Sequence, residues 1–160
     1  VDAIDHGSGF FQHGHTYIGH PSSCAAGLAT QLEIQERDLL SNVKTQGANL
    51  QKALQEAFDS DALLSGHVGD LRGRGLFIGI ELVADKQTKA TFDPSLKLHA
   101  KIKKQAMQNR LMTYPMGGTV DGVNGTHILL APPFIIDEDD VQQITQRLCR
   151  SIKSVLQENQ

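Results

Sequence analysis

The residues best able to do chemistry begin with the loop Gly14-His15-Thr16-Tyr17-Ile18-Gly19, which runs into Pro21-Ser22-Ser23. Glycines let a backbone approach a ligand closely, a threonine supplies a hydroxyl, and free N–H groups at a helix start attract anions. That set suits one phosphate group. The spacing matches neither the dinucleotide fingerprint nor the nucleoside-triphosphate loop, so spacing alone favours an ordinary Gly-Thr loop. His6, His13, His15 and His20 are of a type that ligates zinc. No carboxylate stands at ligand spacing and the His-Glu-x-x-His pattern is absent, so loop histidines bonded to nearby backbone are expected, and no metal. Arg72 and Arg74 flank Gly73, and either guanidinium has the geometry to grip a carboxylate with two parallel bonds. Lys97, Lys101 and Lys104 share one helical face and are read as solvated. Nothing forms a Ser-His-Asp arrangement with a nucleophile elbow.

The elements that must position these residues follow from periodicity. Ser22 and Ser23 open a helix, with Pro21 tolerated in its first turn. Leu28, Leu32, Leu39, Val43, Leu50 and Leu54 mark one apolar stripe down to Phe58. A single helix over 22–58 would span about 55 Å at ~1.5 Å per residue, so two helices are expected, meeting near Arg37-Asp38 with Asp38 as the second cap. That break is also the expected domain boundary. Residues 67–71 and 76–83 read as strands, with Gly79 marking a close approach or a bulge. A helix runs from Ser95 to about Asn109 on Leu98, Ile102 and Ala106. Short strands at 111–114 and 127–131 flank a Gly-rich loop, and Pro132-Pro133 end the second. Asp137 caps a last helix whose stripe is Val141, Ile144, Leu148, Ile152 and Val155. The expectation is an α/β module over 38–160, with 1–37 belonging to another domain, so that the chain reads as a fragment.

Composition narrows the class. The chain has 160 residues with 15 Lys+Arg against 18 Asp+Glu, a mildly acidic balance that argues against nucleic acid as a partner. At 39% hydrophobic and 21% charged it has the content of a folded domain rather than a disordered chain. No apolar run approaches the roughly 20 residues of a membrane span, and the N-terminus lacks the basic start and apolar stretch of a signal peptide. Cys24 and Cys149 have no neighbouring partner, as in a reduced, cytoplasmic protein.

Three separated segments together resemble a known family. They are Phe11-Gln-His-Gly-His-Thr-Tyr-Ile-Gly-His-Pro21, then Val68-Gly-Asp-Leu-Arg-Gly-Arg-Gly-Leu-Phe-Ile-Gly-Ile-Glu-Leu82, then Leu130-Ala-Pro-Pro-Phe134. In this order they resemble the C-terminal part of a class III aminotransferase. The family comprises pyridoxal-phosphate-dependent, fold-type I homodimers and includes the ω-transaminases. The resemblance implies an α/β small domain, a short mostly antiparallel sheet with helices packed on it, over 38–160. The loop and helix over 1–37 would then end the large cofactor domain. It also implies transfer of an amino group from an amine or amino acid to a keto acid such as pyruvate, with pyridoxal 5'-phosphate as electron sink. The Schiff-base lysine of the family lies upstream of these motifs, so no catalytic residue is assigned and the isolated chain is expected to be inactive.

One binding residue carries over. The family's threonine in this loop binds the cofactor phosphate of the neighbouring subunit, and the matching position is Thr16. The resemblance thereby implies a homodimer whose active site spans the interface. Some branches place a mobile carboxylate-binding arginine where this chain has Tyr114, and others place one where it has Leu129. With both clamps missing, substrate binding is assigned to Tyr114 and Arg72. An aminomutase, racemase or decarboxylase of the same scaffold is the nearest alternative, and a non-catalytic α/β interaction module is the alternative of another class.

Overall fold

Alternation along two short strands sets the architecture. The computed structural model describes residues 1–159, and the chain divides into two compact units, Val1–Arg37 and Asp38–Gln160. The first holds helix α1 (Asp2–Asp5) and helix α2 (Pro21–Glu36). No residue in it is buried, and Leu28 and Leu32 stand 62% and 46% exposed. The expected apolar stripe therefore does not run through α2. It begins only in helix α3 (Leu39–Ser60), where Leu39, Leu50, Leu54 and Phe58 are buried.

The break between the two helices has a backbone cause. Asp38 takes a left-handed conformation (φ 46°, ψ 44°), which a continuous right-handed helix does not admit. Its carboxylate accepts the Ser41 hydroxyl at 3.0 Å and caps no helix N–H, so the expected side-chain cap is absent. Likewise α2 starts on Pro21 after His20, and neither serine caps it.

The second unit continues with α4 (Ala62–His67), β1 (Val68–Arg74), β2 (Phe77–Leu82), α5 (Leu98–Gln108), β3 (Tyr114–Gly117), β4 (Thr126–Leu130) and α6 (Glu138–Gln157). The strands form one antiparallel sheet in the order β1-β2-β4-β3. Ile78, Ile80, Leu82, Ile128 and Leu130 are buried on its inner face. They join one core with Leu50, Leu54 and Phe58 of α3, Leu98, Ile102 and Ala106 of α5, and Leu148, Ile152 and Val155 of α6. Non-local burial of these side chains, at about 1.5–3 kcal/mol each, is the main favourable contribution to the fold. Pro115 sits in edge strand β3, where a missing N–H costs no ladder bond on the open side.

Several expected elements shift. Helix α4 falls where loop or strand was expected, because Asp61 caps it by accepting from the N–H groups of Leu63 and Leu64 at 3.0 and 3.2 Å. Strand β1 runs on through Arg74, so the hairpin turn is Gly75-Leu76 alone. The bulge lies between Val68 and Asp70, not at Gly79, where an added Cβ would meet only ordinary contacts. Strand β3 starts at Tyr114, later than expected. Lys97 takes a left-handed conformation ahead of α5, and Lys101 bonds to Asn159. The final helix begins as expected on Asp137, in a reciprocal capping box with Asp140.

Glycine close approach pins the β1–β2 hairpin to α3. A Cβ on Gly47 would lie 2.4 Å from the carbonyl of Gly75, and Gly75 itself has φ +56°. Gly47→Ala is therefore expected to cost about 1–3 kcal/mol through overpacking, whereas Gly66→Ala, with nothing within 4 Å, should gain about 0.5–1 kcal/mol; urea midpoints of the two variants check both signs. Asp61 also pairs with Lys153 of α6, and that bond, followed by the Leu64 N–H, holds its carboxyl below the usual carboxylate range. A carboxyl depressed in the folded state adds stability above its unfolded pKa and loses it as pH falls through the folded one. Asp61→Ala should cost about 0.5–2 kcal/mol at neutral pH, and the gap to the parent sequence should close in urea titrations carried down to roughly pH 2.

Candidate functional site

Thr16 opens an exposed turn over residues 16–19 of the first unit. The turn is closed by the Ile18 N–H donating to the His15 carbonyl at 3.1 Å, and Gly19 supplies the left-handed φ of 73°. His15 is occupied locally, its Nδ1 accepting the Tyr17 N–H at 3.2 Å. Neither the hydroxyl nor the backbone N–H of Thr16 has a hydrogen-bond partner among the described residues. An unshared hydroxyl beside an unshared N–H is a donor pair that a phosphate dianion can take. Two further loop histidines have nearby partners: His6 Nδ1 donates to the Asp2 carbonyl at 3.0 Å, and His20 lies 3.5 Å from the Ser23 hydroxyl. Among the described residues no three His, Cys, Asp or Glu side chains stand together as a metal site.

In the second unit the sheet register assembles a row that sequence spacing does not reveal. Arg72 pairs with Gly79, Gly79 with Leu129, and Leu129 with Tyr114. These four residues cross all the strands in line, and directly opposed residues share a face, here the one turned away from the helices. The adjacent row on that face is Asp70, Glu81, His127 and Met116. Arg72 donates to Asp70 and lies 3.9 Å from Glu81, and the bond to Asp70 raises its already high pKa. Two carboxylates thus stand beside one largely exposed guanidinium. His127 Nδ1 and the Thr119 hydroxyl share a hydrogen bond at 2.6 Å. Arg72, Glu81, Thr119, His127 and Leu129 line a groove of about 460 Å³ together with Gly79.

Tyr114, 58% exposed, stands at the other end of the row and on the wall of a larger pocket of about 680 Å³. Leu111, Met112, Leu129, Pro132 and Ile135 give that pocket its apolar lining. Asn42 fixes one side of it, its Nδ2 donating to the carbonyls of Phe134 and Ile136 at 2.7 and 2.9 Å. Thr113, 8% exposed and also in the wall, has a buried hydroxyl with no partner among the described residues.

Thr113, Glu81 and His127 were not singled out from the sequence. The alternation Thr126-His127-Ile128-Leu129-Leu130 holds a signal for His127, since Thr126, Ile128 and Leu130 are the inward set. Thr113 carries no such signal. Cys149 is half-buried, and burial pushes its thiol up to about 11, which disfavours the thiolate form.

Comparison with known proteins gives this geometry its context. The family model for class III aminotransferases matches residues 1–152. An uncharacterized aminotransferase of Schizosaccharomyces pombe is 38% identical over 149 residues, covering 93% of this chain and 31% of that protein. A transaminase from the marine bacterium Virgibacillus has a TM-score of 0.82 at 28% identity, over 99% of this chain and 34% of that one. An amine transaminase from an uncultivated Pseudomonas species, solved in a PLP-bound internal aldimine form, has a TM-score of 0.75 at 31% identity, over 96% and 33%. The chain therefore spans about a third of the length of the relatives it matches. Matched along nearly its whole length in both sequence and fold, the chain belongs to the class III aminotransferases.

Proposed function

We propose that this chain is the small domain, residues 38–160, together with the phosphate loop and linking helix, residues 1–37, of a pyridoxal-phosphate-dependent aminotransferase. The enzyme moves an amino group from an amine or amino acid to a keto acid such as pyruvate. The observation that carries the reading is the Thr16 turn, with its unshared hydroxyl and N–H, inside a chain matched to the family from residue 1 to 152.

In this reading Thr16 donates to a phosphate oxygen of pyridoxal 5'-phosphate, and Gly14 and Gly19 keep the turn open to it. The bound cofactor supplies the electron sink for labilising the bond at the amine-bearing carbon. The lysine that anchors it covalently belongs to the portion of the relatives that this chain does not span, so none of the chain's own lysines is assigned that role. Because the family's loop serves the neighbouring subunit's cofactor, the enzyme is a homodimer with a shared active site. Tyr114 is the residue at which substrate is met. Arg72, with Asp70 and Glu81 beside it, is the second substrate contact.

The full-length enzyme should be yellow from bound cofactor, and Thr16→Ala should weaken cofactor retention by about 1.5–3 kcal/mol, the loss of one hydrogen bond to a charged group. Equilibrium dialysis of the cofactor against both proteins reads this directly. Unchanged retention removes Thr16 from the site, and a protein that stays colourless with added cofactor overturns the reading.

A further inference from the structure

The loop between β3 and β4 carries chemistry of its own. Of the five asparagines in the chain, Asn42, Asn49, Asn109, Asn124 and Asn159, only Asn124 is followed by glycine. A backbone nitrogen can close a succinimide ring on the amide carbon of the asparagine before it, and a glycine, lacking Cβ, obstructs that closure least. Val43 and Leu50, which follow Asn42 and Asn49, lie inside α3, where their N–H groups belong to the helix ladder. The Arg110 N–H, after Asn109, donates to the Met107 carbonyl at 3.0 Å. The Gly125 N–H has no hydrogen-bond partner among the described residues. No bond has to break to free that nitrogen.

Asp121 restrains the step. Its Oδ2 accepts the Asn124 side-chain amide at 2.7 Å, and its Oδ1 accepts the Val123 and Asn124 backbone N–H groups at 2.9 and 2.6 Å. These bonds, the Asn124 side-chain one foremost, hold the Asp121 carboxyl down to about 2, so it is ionised across the neutral range. Ring closure puts negative charge on the Asn124 amide oxygen beside this carboxylate, and like charges that close repel. Loss of ammonia also removes the donor of the 2.7 Å bond, so that bond is broken on the way.

We propose that Asn124 is a self-modification site, converted by attack of the Gly125 nitrogen on its amide carbon, with the Asp121 clasp setting the rate. The Gly125 nitrogen gives its proton to hydroxide and its electron pair forms the new C–N bond. The C–NH2 bond then breaks, and ammonia leaves after taking a proton from water. Water opens the succinimide at either carbonyl, giving aspartate by one route and isoaspartate by the other. The net change is one water consumed and one ammonia released, with no oxidation. The loop does not close again, because a carboxylate at 124 stands where Asp121 held an amide, and attraction becomes repulsion. Thr119 of the same loop bonds His127, which ties the event to the groove on the open sheet face. The step uses no cofactor and stands apart from the aminotransferase reading.

Peptide mapping by mass spectrometry of the full-length protein, aged in mildly alkaline buffer, tests the proposal. Asn124 should convert before the other four asparagines, and part of the product should be isoaspartate, read by labelling with an isoaspartyl methyltransferase. The same protein in concentrated urea, where the clasp is gone, should convert about five- to thirty-fold faster, the factor that losing a few hydrogen bonds to a charged group brings. Asp121→Ala should bring the folded protein's rate up by a similar factor. Amide exchange at Val120 and Val123, whose N–H groups bond within the loop, should rise as the converted form accumulates. No detectable conversion of the folded protein after the urea sample has reacted overturns the proposal, as does aspartate without isoaspartate. An Asp121→Ala rate at or below that of the parent sequence overturns the role of the clasp; if that variant does not fold, the urea comparison decides. A protein that is yellow yet never converts loses this site and keeps the aminotransferase reading, and a colourless one that converts does the reverse.

Discussion

The rest of the structure depends on burying one face of a four-stranded sheet against three helices. Because side chains on a strand alternate with a period of two, committing Ile78, Ile80 and Leu82 of β2 and Ile128 and Leu130 of β4 to the core also decides where every intervening residue goes. Gly79, Glu81, His127 and Leu129 are forced onto the opposite face. A slip of one residue in the β2–β4 register would exchange the two sets, placing a carboxylate and an imidazole among leucines. The cost of burying those groups holds the register, and the register holds the row of Arg72, Gly79, Leu129 and Tyr114.

Two secondary devices make that sheet possible in a small unit. The β1–β2 hairpin turns in two residues and rests its tip on α3 where Gly47 meets Gly75, a distance at which no side-chain carbon fits. At the other end Asp61 serves two elements at once, capping α4 and pairing with Lys153 of α6. Both are contacts between elements far apart in the chain. The β3–β4 loop is ordered locally instead, with Asp121 accepting from the N–H groups of Val123 and Asn124 at 2.9 and 2.6 Å.

The chemistry divides between the two units in a way that follows from their burial. Residues 1–37 bury nothing of their own, and their content is a turn with free donors ahead of a helix rich in exposed Ala and Leu. Residues 38–160 contain the whole hydrophobic core, and their content is a rigid scaffold with a polar groove on one part of its sheet and an apolar pocket beside another. Arg72 illustrates how the scaffold changes a residue's meaning. By type it is a carboxylate receptor, and on the sheet it already has Asp70 bonded to it and Glu81 nearby.

Much was legible from residue order alone. Local rules set the Asp137 capping box, the Leu98-Ile102-Ala106 stripe and the break near Asp38, because each depends on neighbours within a turn or two. The family resemblance, likewise, rests on contiguous motifs. The apolar residues Leu28 and Leu32 of α2 stay exposed while the stripe of α3 is buried, because periodicity reports which residues share a helical face and not whether anything packs against it. Gly79, Arg72 and Thr113 took their roles only in three dimensions. Whether a glycine is crowded or a hydroxyl is left unpaired depends on atoms brought from dozens of residues away, and even the pairing of Arg72 with Asp70 and Glu81 needs the strand and hairpin geometry that only the folded chain sets.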